Sequence, residues 1–505
     1  MKKNLKFFAG AILGALALTG CSSEPNYPEV SEEIAEQLQI VTDDENKVYG
    51  NIRLVDEVEG GTVTWKVDKA SKNFVSTEDV NEMKKGAITR QDEDVDVTLK
   101  ATVELEDGKY NYEQTITLAA APEELTDDDY EAYLFGHFVG EGYGKEVKGE
   151  KVATGEQMFF ALADVGQGLK FKDMNKSTMS NLKPVLSSNV GERGVRDPYI
   201  CRSPEGDTFY LIATDLSVYT RGGWGNNAGQ ATKTGSHSIV IWESHDLVNW
   251  TEARLIEVAA ENAGMAWAPE MTYCEETGEY LIFFSSTILD DYSKGVNAKI
   301  LKRDSVYYTT TRDFVHFTET KQFIDNQPYP KGYTNKEETD QYATNNDERK
   351  IIDGSVMKIG DWYYSAAKDG GNNENHGGIL IQKTQDLYDS ESWEKVMNLA
   401  DTGFKVQGNN DPTNKCLEGP EWFYLNKADR KDPDTMEIGL MADYYANTSV
   451  GYIPFGTTDV EDKTAWRALT SGTDYSFAGQ TKRHGTILRI TAEEAERLKE
   501  AYPIK

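Results

Sequence analysis

Three carboxylates occupy places where a charge is hard to explain as surface decoration. Asp197 lies in Gly194-Val-Arg-Asp-Pro198, Asp353 in Ile351-Ile-Asp-Gly-Ser355 and Glu418 in Cys416-Leu-Glu-Gly-Pro-Glu421. Each follows or lies within a short apolar stretch and precedes glycine or proline, so each is either paired or used. Carboxyl groups do proton-transfer work when one is kept protonated and another ionised. Asp215 and Glu421 read as supporting acids. The competing reading for the three is a turn or strand-end carboxylate accepting backbone N–H groups. It is strongest for Asp353, because Asp-Gly-Ser is also common turn chemistry.

Groups this far apart in sequence need a scaffold that gathers them, and the chain repeats from Tyr133 onward. An aromatic-rich strand, a second strand and an ending of aspartate, a few residues and an aromatic recur. Phe209 to Asp215 leads to Ser238 to Trp242 and Asp246 to Trp250. Tyr280 to Ser285 leads to Val306 to Thr310 and Asp313 to Phe317, and looser copies end at Trp393 and Trp466. An earlier copy, Tyr133 to Phe138 with Met158 to Leu162, ends at Phe171. Near-regular spacing of all-β units is the signature of a radial repeat, in which each unit is one blade. Five units predict a five-bladed β-propeller, with a large β-sandwich as the rival. Thr486 to Ile490 has no unit of its own and is expected to complete the first blade. Catalytic groups of a propeller belong where blades begin, near the axis, and that is where the three acids fall.

The fragments Arg196-Asp197-Pro198, Trp267-Ala-Pro-Glu270, Asp353-Gly-Ser355, Glu418-Gly-Pro420 and Arg483-His484-Gly485 resemble, in this order, glycoside hydrolase family 43 over about residues 130 to 495. The resemblance implies hydrolysis of furanose or pentose linkages with inversion, α-L-arabinofuranosidase activity first, with β-xylosidase or galactofuranosidase activity as alternatives. It implies Asp197 as general base, Glu418 as general acid and Asp353 as the acid that orients Glu418. Trp267 and Glu270 match a motif lining the sugar site, and Trp224, in a glycine-rich loop, is placed to stack on a sugar. The plain alternatives are a core tryptophan, a salt-bridged glutamate and a loop anchor. His484 matches a histidine near the axis, where relatives carry a calcium ion, against the alternative of a hydrogen-bonded structural histidine. A non-catalytic surface glycan-binding lipoprotein is the competing function. It keeps the aromatic residues but has no need of three separated acids.

The remaining sequence sets the context. Lys2, Lys3 and Lys6 precede an apolar stretch, and Leu18-Thr19-Gly20-Cys21 resembles a lipobox, so residues 1–21 read as a lipoprotein signal with Cys21 as the lipidation site. The expectation is an envelope protein, anchored to the membrane by lipid alone, monomeric, and acting on an oligosaccharide or polysaccharide. Residues 22–125 alternate apolar and polar residues, as in Val95 to Val103 and Tyr110 to Leu118, which predicts half-buried antiparallel strands; the region resembles a small immunoglobulin-like β-sandwich, followed by an acidic linker. Cys201, Cys274 and Cys416 show no metal-ligand spacing and no disulfide framework. A formal net charge of -32 with no basic stripe argues against nucleic acid. The 9 Trp and 27 Tyr suit a protein that packs ring faces on sugars.

Overall fold

In the computed structural model the alternating segments such as Val95 to Val103 and the apolar segments such as Phe209 to Asp215 are strands, and the described residues are all-β with short helices. The structure describes residues 27–504 apart from 44, 226–229, 325–349, 371–376, 404–415 and 446–450. The lipobox lies outside the described residues.

From residue 130 on, the described strands form five sheets of four or five strands each and one separate two-stranded pair, Gly144–Val147 with Glu150–Ala153. Sheets II to V are four-stranded meanders. They begin at Val195–Arg202, Trp267–Cys274, Ile351–Ile359 and Leu417–Tyr424, and their second strands are Phe209–Asp215, Glu279–Leu289, Trp362–Asp369 and Ile438–Tyr444. Sheet I is assembled from both ends of this region: Thr486–Thr491 pairs with Tyr130–His137, followed by Phe159–Ala163, Leu169–Asp173 and Tyr475–Phe477. The late strand thus takes the first position of sheet I, and the Tyr133 segment, expected to open its unit, is second. First strands of successive sheets pack on one another in order, and Thr486–Thr491 packs on both Leu417–Tyr424 and Val195–Arg202. Each pair of neighbouring sheets shares one core. Leu134 and Leu211 sit between I and II, Ile241 and Ile282 between II and III, and Phe283 and Val356 between III and IV. Ile381 and Leu440 sit between IV and V, and Met441 and Phe135 between V and I. Each such fully buried side chain stabilises the fold by about 1.5–3 kcal/mol.

The repeated aspartate has a local cause. It caps the turn after the third strand by accepting backbone N–H groups: Asp246 Oδ1 from Val248 and Asn249 at 2.8 and 2.7 Å, and Asp313 Oδ1 from Val315 and His316 at 2.9 and 2.8 Å. Asp386 and Asp459 do the same for Tyr388 and Glu461, each at 2.9 Å. The aromatic that follows then drops into the core, as Trp393 and Trp466 do.

The N-terminal region differs from expectation. Among the described residues it is one five-stranded sheet, built on the hairpin Val95–Leu105 and Gly108–Leu118, and not two facing sheets. Its apolar face is covered by the helix Glu32–Leu38 and by Ile40, Ile52, Leu54 and Val75 from irregular segments. Residues 68–94 lack the period-two pattern a second sheet needs. The acidic linker is also held rather than merely solvated: Asp127 Oδ1 accepts from Arg430 at 2.5 Å and Arg489 at 2.7 Å.

Candidate active site

Four of the five first strands carry the same irregularity. Register slips between Arg196 and Tyr199, Trp267 and Glu270, Ile352 and Ser355, and Glu418 and Glu421. At each slip one residue takes positive φ: Asp197 (48°), Ala268 (45°), Asp353 (54°) and Gly419 (51°). A left-handed residue other than glycine costs about 1–2 kcal/mol. Two of the three predicted acids bear that strain themselves, as functional sites often do. The bulges explain the Asp-Pro, Asp-Gly and Glu-Gly-Pro sequences. They break the ladder where a side chain has to leave the sheet plane. Gly419 has a second reason to be glycine, since a Cβ there would sit 2.5 Å from the His484 ring.

Neighbouring sheets lock the bulges together. Ala268 N donates to Thr214 Oγ1 at 2.7 Å, and that hydroxyl donates to Asp197 Oδ2 at 2.9 Å. Asp353 N donates to Ser285 Oγ at 2.9 Å, and Gly419 N donates to Asp353 Oδ2 at 3.3 Å. His484 Nδ1 lies 3.4 Å from Asp197 Oδ1. Arg483 donates through Nε to Asp443 at 2.8 Å and lies 3.8 Å from Glu418 Oε1. Lys368 Nζ donates to Glu418 Oε2 at 2.6 Å. Asp197, Asp353, Glu418 and His484 are therefore one connected cluster.

Its electrostatics are uneven. Burial pushes the Asp197 carboxyl up, but the His484 hydrogen bond and charge, with Arg196 and Thr214, outweigh it and hold Asp197 below the usual carboxylate range. Burial pushes His484 down, but Asp197, then Asp353 and Asp443, raise it to about 9. Asp353 goes the other way. Burial and the Glu418 and Asp197 charges lift it to about 6, against the cations of His484 and Lys368.

Trp224 is 43% exposed, stands edge-on to Trp267 with ring centroids 6.2 Å apart, and donates Nε1–H to Glu141 at 3.2 Å. Arg196 lies under the Trp224 ring and is held by Glu156 at 2.9 Å and Glu141 at 3.2 Å. Trp224 and Trp267 thus line one wall beside the Asp197 bulge. Glu270 does not join them. It is buried beneath the acids, in hydrogen-bond contact with Glu421 and Ser355. Glu421 accepts from Thr486 Oγ1 at 2.9 Å. One oxygen of each glutamate, Oε2, meets no ordinary donor, so contact between the two carboxyls requires a shared proton. For the calcium ion expected at His484, the ring offers Nδ1 to Asp197 Oδ1 at 3.4 Å, and among the described residues no group of three or more His, Cys, Asp or Glu is gathered that could hold a metal ion.

The sequence reading missed Lys368, Asp443, Glu141 and Glu156. Asp443 had a signal: Asp215, Asp369 and Asp443 all fall at the ends of second strands. Glu156, fully buried, accepts from Val218 N and Tyr219 N and gave none.

The model of a family described as "Probable glycosyl hydrolase domain", related to glycoside hydrolase family 43, matches residues 128–496. The chain belongs to this family. It is 30% identical over 332 residues to an alpha-L-arabinofuranosidase of Bifidobacterium longum subsp. longum, covering 62% of this chain and 27% of that protein. The chain thus spans about a quarter of the length of the curated relative it matches. Among solved structures it is similar to an arabinanase of Bacillus subtilis (15% identity, TM-score 0.32, covering 60% of this chain and 82% of that one). It is also similar to an alpha-L-arabinanase of Penicillium chrysogenum (12% identity, TM-score 0.37, covering 86% and 91%).

The buried pair gives a stability test for this family member. Burial, relieved only in part by Glu270 and Thr486, raises Glu421 to about 8. An acid raised in the folded state contributes stability that is present below its ordinary value near 4.5 and is lost as pH rises through about 8. Glu421→Gln supplies a neutral group at every pH. Its melting temperature, relative to wild type, is expected to rise between pH 5 and pH 8. A difference constant over that range would contradict the shared proton.

Proposed function

We propose that the five sheets are the blades of a five-bladed β-propeller and that this glycoside hydrolase inverts, cleaving α-L-arabinofuranosyl linkages with Asp197 as general base and Glu418 as general acid. One observation carries the reading: Asp197 is held ionised by His484 in the same cluster that presents Glu418. Inversion needs an ionised carboxylate to activate water on one face of the sugar and a carboxylic acid to protonate the leaving oxygen on the other, about 6.5–9.5 Å apart. Asp353 receives Gly419 N–H and so fixes the bulge from which Glu418 projects. Lys368 occupies Glu418 Oε2, and productive binding replaces that contact with the glycosidic oxygen. Trp224 and Trp267 supply ring faces for the sugar.

The arabinofuranosyl preference is supported by the relative of that name. A panel of aryl α-L-arabinofuranoside, β-D-xyloside and β-D-galactofuranoside tests it. The highest kcat/KM is expected on the arabinofuranoside. A preference for either other sugar would overturn the assignment, and absence of turnover on all three, with arabinan and xylan oligosaccharides also untouched, would favour glycan binding without catalysis.

A further inference from the structure

A cavity of about 620 Å³ lies between the N-terminal region and sheets II and III. Its lining comes from residues 40–43 and 47–53 on one side and from the ends of strands and turns around 203–210, 243–254, 273–280 and 312–315 on the other. Of the three acids, Asp197 sits near the start of the first strand of sheet II, Val195–Arg202, whose far end leads into this lining. From Asp197 to Ser203 is six residues of strand at about 3.3 Å each, so the cavity opens roughly 20 Å from the catalytic cluster.

Both walls are fixed. Arg90 grips Asp207 through two bonds, at 3.0 and 2.6 Å, Asn51 Nδ2 donates to Tyr273 Oη at 2.9 Å, and Tyr49 stacks on His245 with ring centroids 3.9 Å apart. Between these clamps, charged groups stand without a counter-ion closer than 4.0 Å among the described residues, although Glu205 is hydrogen-bonded to Ser203. Arg53 makes no side-chain hydrogen bond or ion pair among the described residues, and burial pushes its guanidinium down against the field of Asp313 alone. Glu243 meets Arg254 and His245 only at 4.0 Å. Glu205 is raised by burial and has no cation within ion-pairing distance among the described residues. Tyr49 and Trp250 add ring surface.

We propose that this cavity is a second carbohydrate site, which holds a neutral segment of a glycan chain while another part reaches the catalytic cluster. Volume and rigidity suit a small ligand. Charge selects its class: guanidinium and carboxylate groups share the lining, so an ion of either sign meets its like, whereas a sugar uses both as hydrogen-bond partners and the rings as stacking faces. The choice of ligand rests on the proposed glycosidase function; the existence of the site does not.

The test uses the full chain carrying Asp197→Asn, titrated calorimetrically with soluble arabinan and arabinoxylan. Two classes of site are expected on at least one polymer. Arg53→Ala and Glu205→Gln, added separately, remove no docking contact seen in the structure. Each is expected to weaken the remote class about tenfold or more, and in the Asp197 background of the wild type each leaves kcat/KM on the aryl arabinofuranoside unchanged. Affinity within twofold of the parent for both variants would overturn the proposal, as would a single class of site abolished by Trp224→Ala, or absence of binding to both polymers. Aryl-glycoside hydrolysis reports on the catalytic reading separately, so failure of one is not failure of the other.

Discussion

Asp197→Asn is expected to lower kcat on every glycoside the enzyme cleaves by several orders of magnitude, on the order of 10⁴, with little change in KM. The loss is the same for good and poor leaving groups, because what disappears is the base that takes a proton from water in the transition state. The structure makes the substitution a clean one. The amide keeps an oxygen for the His484 N–H and stays within reach of Thr214. His484 does lose its nearest anion, and an uncompensated buried cation is destabilising. The variant therefore melts lower than wild type, by a difference that is largest below the ordinary histidine value near 6.5 and shrinks as pH rises through about 9. Thermal unfolding and kinetics on one aryl and one alkyl glycoside check both parts. A loss confined to the alkyl substrate would move Asp197 out of the base role.

Glu418→Gln is expected to separate the two substrate types. Without a proton donor, glycosides with poor leaving groups lose about 10²–10⁴ in kcat, the usual range for general acid catalysis, while an activated aryl glycoside, whose phenolate departs unaided, keeps turnover within about tenfold. The same change removes the carboxylate that Lys368 and Arg483 face. Tyr445 lies under the Lys368 ammonium, 4.5 Å from its ring centroid, and still receives it. Equal losses on both substrate types would remove Glu418 from the acid role and leave Asp197 in place.

Much of this architecture was legible because the same physical demands recur in each unit. The aspartate that caps the turn after a third strand, and the aromatic that falls into the core behind it, return with regular spacing at Asp246 and Trp250, Asp386 and Trp393, and Asp459 and Trp466. The acids were legible as charges in unusual places, while the bulges that explain Asp-Pro, Asp-Gly and Glu-Gly-Pro came from the structure. What stayed hidden was pairing across sheets. That Lys368 reaches Glu418, or that Arg196 is clamped by Glu141 and Glu156, depends on which loops meet, and no local pattern encodes it. Glu270 misled for a related reason. Trp267 and Glu270 flank one bulge, so the register slip points them to different layers, Trp267 toward Trp224 and Glu270 toward Glu421. The N-terminal region misled because alternation predicts a half-buried sheet without saying what covers it, and here a helix and irregular segments do.

The stereochemistry of the first product tests the proposed mechanism most directly. Proton NMR recorded within the first minutes of hydrolysis, on the panel glycoside turned over fastest and before the released sugar mutarotates, is expected to show the anomer opposite to that of the substrate. The retained anomer appearing first would contradict the assignment of Asp197 and Glu418 as an inverting pair.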